Sequence, residues 1–208
     1  MDSPYRGPEP YGRLLDLAGI TVGWLAAALL LRPFHNTPFI DDWVYAWSVE
    51  RLLQAGDLRI LDLSTHLNPV QILWGTLFCL PFGFSFTALR LSTWVVGLLG
   101  LWGMYLVLRD QGVSRRDVLL GTACLAAYPI YVILSFSFMT DIHLVVCAIW
   151  ATMAFLRAAD RRSDAWLWVA VGLSCAAVGI RIVGAVLPIA MMLTLLIERE
   201  GWGRRKAR

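Results

Sequence analysis

Seven apolar runs follow one another along the chain, at 14–31, 69–84, 88–108, 118–135, 142–158, 166–179 and 182–197. A helix needs about 20 apolar residues to cross a hydrocarbon core, and most of the runs approach that length. In lipid every backbone N–H and C=O must be satisfied within the structure. The runs therefore predict an all-α fold, a polytopic transmembrane helix bundle of about six to seven membrane helices. Only 16% of the 208 residues are charged and 58% are hydrophobic, against roughly 25% charged in an ordinary soluble domain. The first run lacks a small-residue cleavage site and is long enough to stay as a span, so it does not read as a signal peptide.

The charges between the runs set a direction. Arg6 and Arg13, then Arg109, Arg115 and Arg116, then Arg157, Arg161 and Arg162, then Arg199, Arg204, Arg205, Lys206 and Arg208 form basic clusters that belong on the cytoplasmic side. The net charge of +3 thus speaks of topology and not of nucleic acid. The chain divides into a first span at 14–31, an extracytoplasmic acidic loop at 32–68, further membrane helices at 69–197 and a basic cytoplasmic tail at 198–208. Two apolar runs separate the outer loop from Arg109, one too many for a change of side. The run 69–84 is the shorter and contains Pro81 and Gly83, so it is expected to be re-entrant or a partial crossing. The stretch 166–197 is too long for one span and is expected to break at Gly179 and Arg181. The cysteines Cys79, Cys124, Cys147 and Cys175 sit at wide spacing inside apolar runs, as buried, reduced packing residues do.

The outer loop reads NTPFIDDWVYAWSVERLLQAGDLRILDLSTHLN. Val44, Trp47, Leu52 and Leu53 recur at helical spacing and Gly56 follows as a stop, predicting a helix along the membrane face with Trp43 and Trp47 as interfacial anchors. Asp41 and Asp42 stand at its start. One could be an N-cap, worth about 1 kcal/mol; a cap does not account for the second. Asp141, in FSFMTDIHLVV, returns to the same face, where it can cap a helix beginning at Ile142. Two acidic loops on one face suggest a shared site in which one carboxylate takes a proton from an acceptor and another positions it or holds a cation. Asp41 and Tyr45 share a helical face, whereas Asp141 and His143 stand about 200° apart. Glu50, Asp57 and Asp62 read as solvated positions.

The loop DDWVYAWSVERLLQAG, the following HLNPVQILWG, the run LRLSTWVVGLLGLWGMYLVLRDQG and the FMTD turn, in that order, resemble the GT-C membrane glycosyltransferases. The closest likeness is to the protein O-mannosyltransferase and aminoarabinose transferase superfamily (glycosyltransferase family 39-like), and it spans 38–196. The resemblance implies inverting transfer of a sugar from a polyprenyl-phosphate-linked donor to an extracytoplasmic acceptor (lipid, glycan or protein), at the extracytoplasmic side of a bacterial inner membrane. It implies Asp41 as catalytic base. The second acid is Asp42 where relatives often carry Glu, which leaves either aspartate as the base, and Asp141 corresponds to the acid of the second loop. An anionic phosphate leaving group needs positive charge nearby. Arg181, in a Gly-flanked break before Leu187 and Pro188, matches a basic residue of the relatives; the alternative is an arginine snorkelling to the headgroups. Arg90 is a second phosphate partner or a structural residue, and Tyr45 could hold a carboxylate or stack on a sugar. His66 matches a position that can coordinate a divalent cation, the one cofactor the likeness suggests. Relatives usually continue past the seventh helix, so a partner subunit or a further C-terminal region is expected. A non-catalytic scaffold or a polyprenyl-lipid binding or transport protein on the same bundle is the alternative; a transporter would show paired breaks in two halves, and the sequence has one break and no repeat.

Overall fold

The computed structural model describes residues 10–61, 63–64 and 68–206. Arg6, Asp62, His66 and Arg208 lie outside the described residues, as do the side chains of 198–206. Among the described residues the chain is helical, without a strand. In order come α1 (Pro10–Leu31), α2 (Asp42–Ala55), α3 (Pro69–Cys79), α4 (Phe86–Asp110), α5 (Arg115–Ala127), α6 (Pro129–Ser135), α7 (Thr140–Arg161), α8 (Asp164–Val178), a 3-10 turn at Ile182–Ala185, and α9 (Val186–Lys206).

Among the described residues three helices are long and apolar enough to cross a membrane: Gly12–Leu31, Phe86–Asp110 and Thr140–Arg161. The pair α5 and α6, bent by 62° at its break, is long and apolar enough for a fourth when taken together. The sequence reads 118–135 as one run, but Pro129 has no N–H to continue the ladder and holds the preceding Tyr128 extended (φ −67°, ψ 117°), as proline does to its predecessor. The apolar helices Pro69–Cys79, Asp164–Val178 and Ile182–Ile197 are shorter.

Small residues on α4 let its neighbours come close. A Cβ on Gly97 would meet Ser135 Oγ at 2.7 Å, one on Gly100 would meet the Tyr131 hydroxyl at 2.3 Å and Val146 Cγ2 at 2.6 Å, and one on Gly103 would meet Ile149 Cγ2 at 2.8 Å. In lipid, where hydrophobicity does not drive helices together, such close approach supplies the packing energy. Indole and phenol groups then tie helices to the α4 backbone: Trp24 donates to the Trp94 carbonyl (3.1 Å), Tyr131 to Gly97 (2.6 Å) and Trp150 to Leu99 (3.0 Å).

These pairs fix direction. Residues 100, 103 and 110 of α4 meet 146, 149 and 157 of α7, so α4 and α7 run the same way, with α5 and α6 returning between them. α1 runs opposite to α4, since Asp16 meets Tyr105 and Thr21 meets Trp102. Arg13, Arg109, Arg115 and Arg157 therefore gather at one end of the bundle, as the charge clusters predict. α8 links the two ends: Arg157 lies over Trp166 at 4.8 Å, while Arg181 just beyond α8 pairs with Asp141.

α3 stays at the other, acidic end. Trp74 donates to the Ser92 carbonyl (3.3 Å), and Gly75 packs on Leu89 and Phe138. Its 11 residues extend only about 16 Å, about half of a hydrocarbon core of roughly 30 Å. All four cysteines are free, but only Cys79 is buried; Cys124 and Cys175 are exposed on the bundle surface, contrary to the reading of all four as buried.

Candidate active site

α2 begins where periodicity places it and ends at Gly56, whose left-handed backbone (φ 67°) and N–H to the Leu52 carbonyl close it. The two adjacent acids meet different environments. Asp41 occupies the N-cap position, is exposed, and makes no side-chain capping bond. Asp42 is wholly buried; its Oδ1 accepts the Phe39 backbone N–H at 2.7 Å, and its Oδ2 lies 3.7 Å from Arg90 Nη2. Burial pushes the Asp42 carboxyl above its ordinary pKa, against the opposing pull of the Phe39 N–H, Arg90 and the Phe138 N–H. The expectation that one acid would be a cap is met by neither in the usual way: Asp42 folds back onto the chain before the helix.

Arg90, 3% exposed, fastens that same segment. Its guanidinium donates to the carbonyls of His35 and Thr37 and, at 3.4 Å, of Pro33. The loop so gathered includes Ile40 at φ 55°, a left-handed conformation that a β-branched residue adopts only when its surroundings impose it. Arg90 thus turns both its Nη groups onto the segment that leads into Asp41.

The second loop is held by α3. Gln71 donates to the Phe138 carbonyl (3.0 Å) and accepts from Asn68 (3.0 Å), both amides being buried. The Val70 N–H reaches the Gly179 carbonyl at 3.3 Å, and a Cβ on Gly179 would meet Val70 Cγ2 at 2.7 Å. One short helix thereby docks both the FSFMT turn and the break after α8. Behind that break the Arg181 N–H bonds the Ala177 carbonyl (3.0 Å) and Gly184 bonds back to Arg181 (2.8 Å), presenting the guanidinium to Asp141 in an ion pair. Asp141 does not cap its helix: α7 begins at Thr140 with Met139 at the N-cap position, and Asp141 lies in the first turn.

Tyr45, on α2, joins the two halves. Its buried phenol is held above its ordinary pKa mainly by desolvation; the Thr140 hydroxyl and Arg181 pull the other way, while Asp141 and Asp41 add to the rise. Asp141 and Arg181 are paired directly, and Tyr45 stands one helical turn from Asp41 on α2. Of the residues singled out from sequence, Asp42 and Arg90 stand apart as a buried pair. His143 is buried, with Nδ1 3.2 Å from the Met139 carbonyl. His35 contributes its carbonyl to Arg90. Among the described residues no three His, Cys, Asp or Glu side chains gather as metal ligands.

Asn68, Gln71 and Thr140 were not singled out from the sequence. Their signal was available in part: amides beside Pro69 at the head of an apolar run must find partners once buried.

Residues 69–207 match the dolichyl-phosphate-mannose-protein mannosyltransferase family. The chain belongs to that family. The matched segment holds α3 with Gln71, the Phe138 turn, Asp141 and Arg181, while Asp41 and Asp42 precede it. Neither among curated proteins nor among solved structures is there a match to the chain. Family and apolar helices together make this an integral membrane protein of the mannosyltransferase type of glycosyltransferase.

Proposed function

We propose that the protein transfers a sugar from a polyprenyl-phosphate-linked donor to a hydroxyl-bearing acceptor on the extracytoplasmic side of a bacterial inner membrane, with Asp41 as general base. The observation that carries this reading is the ion pair of Asp141 with the arginine of the helix break, at the same end of the bundle as the exposed Asp41 at the head of α2. Asp41 suits the base because it is exposed and unpaired, whereas Asp42 is buried against Arg90 and Phe39. The Asp41 carboxylate takes the acceptor hydroxyl proton as that oxygen attacks the anomeric carbon. The bond from that carbon to the phosphate oxygen breaks, with inversion, and the lipid phosphate leaves with the electron pair. A guanidinium carries five N–H donors in a planar fork, and only Nη1 of Arg181 is engaged by Asp141. The rest can receive the leaving phosphate, with Asp141 fixing the orientation of the fork. Arginines at the opposite end of the bundle support an extracytoplasmic setting for this end.

Sugar transfer from defined polyprenyl-phosphate donors in proteoliposomes tests the reading. Loss of a general base costs typically about 10²–10⁴-fold, so Asp41→Asn is expected to lose transfer by that factor with an unchanged unfolding temperature. Arg181→Gln is expected to slow transfer as well, least for donors with a better leaving group. Full activity of Asp41→Asn overturns the assignment of the base.

A further inference from the structure

The stretch HLNPVQILWG contributes no group to the proposed transfer, yet two of its amides, Asn68 and Gln71, are fully buried. Buried amides must find partners, and theirs are ordered in one direction. The Phe138 carbonyl can only accept, so Gln71 turns its NH2 to it (3.0 Å) and its Oε1 to Asn68, whose NH2 donates at 3.0 Å. Asn68 stands at the N-cap of α3 but makes no side-chain cap, although Asn is among the best capping residues. Its side chain orients Gln71 instead.

The Phe138 peptide is held from both sides, since its N–H donates to the Asp42 carboxylate while its carbonyl takes the Gln71 amide. One turn further along α3, Gly75 leaves room for the Phe138 ring; a Cβ there would meet Cζ at 2.5 Å. Phe138 lies three residues before Asp141. The Val70 N–H, one of those that a helix start leaves free, reaches the Gly179 carbonyl at 3.3 Å, two residues before Arg181. Adjacent residues of one short helix thus grip the backbone just ahead of both members of the Asp141–Arg181 pair.

We infer that Gln71, oriented by Asn68, is a positioning residue for sugar transfer: it touches no substrate but sets where Asp141 stands, and through Asp141 the direction of the Arg181 guanidinium. The inference rests on the proposed role of Arg181 toward the leaving phosphate. A displacement of about 1 Å is enough for a 10²-fold loss in rate, and Gln71 holds the turn three residues from Asp141 by a single hydrogen bond.

Two measurements test it. In hydrogen exchange of the full chain followed by mass spectrometry, Gln71→Leu is expected to speed exchange in 136–141 and leave α5 unchanged. In the proteoliposome assay the same variant is expected to lose about 10–10²-fold in kcat, while Leu73→Ala, exposed on the same helix, keeps it. Groups that act as a unit are non-additive, so adding Gln71→Leu to Arg181→Gln is expected to lose nothing further, whereas a loss of packing alone would multiply. Gln71→Glu supplies the rescue. Protonated, its O–H donates to the Phe138 carbonyl; ionised, it cannot, so its transfer relative to wild type is expected to recover as pH falls. That comparison is made within one folded chain and decides the matter if Gln71→Leu does not fold. Unchanged exchange in 136–141, full transfer by Gln71→Leu beside slow transfer by Arg181→Gln, a multiplied loss in the double variant, or no recovery of Gln71→Glu at low pH overturns this inference alone. Full transfer by Arg181→Gln overturns the proposed role of that arginine, and this inference with it.

Discussion

Replacing Arg90 by Met tests whether the acidic loop is held in place by one buried cation. Arg90 is 3% exposed, donates to the carbonyls of Pro33, His35 and Thr37, and faces the buried Asp42 at 3.7 Å. Met fills much of the volume but strips three carbonyls of their donor and leaves Asp42 without its counter-charge. Removing one member of a buried pair costs about 3–5 kcal/mol, which for a chain of this size shifts the midpoint by roughly 6–20 °C. Adding Asp42→Asn to the variant removes the uncompensated charge and is expected to restore roughly 1–3 kcal/mol. The pH dependence has a definite sign. Asp42 already titrates above the ordinary carboxyl value of 3.8, and Arg90 is among the groups that lower it; without Arg90 the carboxyl rises further. The folded form then keeps a proton that the unfolded chain releases, so this contribution is fully present below the unfolded value and is lost as pH rises through the folded one. Thermal unfolding in detergent, followed by fluorescence of the ten tryptophans between about pH 4 and 8, reads all three effects. A loss below about 1 kcal/mol, no rescue by Asp42→Asn, or a single variant that becomes more stable as pH rises would refute the reasoning.

Gly100→Ala is expected to destabilise by about 1–3 kcal/mol, because its methyl would stand 2.3 Å from the Tyr131 hydroxyl and 2.6 Å from Val146; Gly172→Ala, with nothing within 4 Å, serves as the neutral comparison in the same unfolding assay. Gly184→Ala drives a methyl to 2.4 Å from the Ala177 carbonyl carbon, a backbone atom that cannot turn aside. The 3-10 turn must shift and carry Arg181 with it, and displacements of about 1 Å can cost 10²-fold in rate, so initial transfer rates are expected to fall steeply while Gly172→Ala retains them.

The number of apolar segments, the loop helix stopped by Gly56 and the gathering of arginines at one end could all be read from the chain, since each depends on local periodicity or on charge near span ends. The bend at Pro129 was missed because hydrophobicity alone does not register a missing N–H. The different fates of Asp41 and Asp42 were beyond reach for another reason. Adjacent identical residues have the same local signals, and what buries one of them is Arg90, 48 positions away. The role of α3 was likewise hidden: Gln71 reaches Phe138 across 67 positions, and no periodicity within 69–84 points to such a partner. Asp141 was expected as a cap because acids favour helix starts, but tertiary pairing with Arg181 took precedence over the local option.

The parallel course of α4 and α7 has an electrical consequence. Each helix carries roughly half a positive elementary charge at its N-terminus and the opposite at its C-terminus, and both N-termini lie at the acidic end. The dipoles of α1, α6 and α8, which finish there, oppose those of α4 and α7, so the effect is local: the positive pole of α7 lies beside Asp141 in its first turn. At the far end the negative poles meet Arg109 and Arg161 in the last turns of the same two helices. The first turn of α7 thus adds a positive pole of its own beside Asp141, where Arg181 also lies.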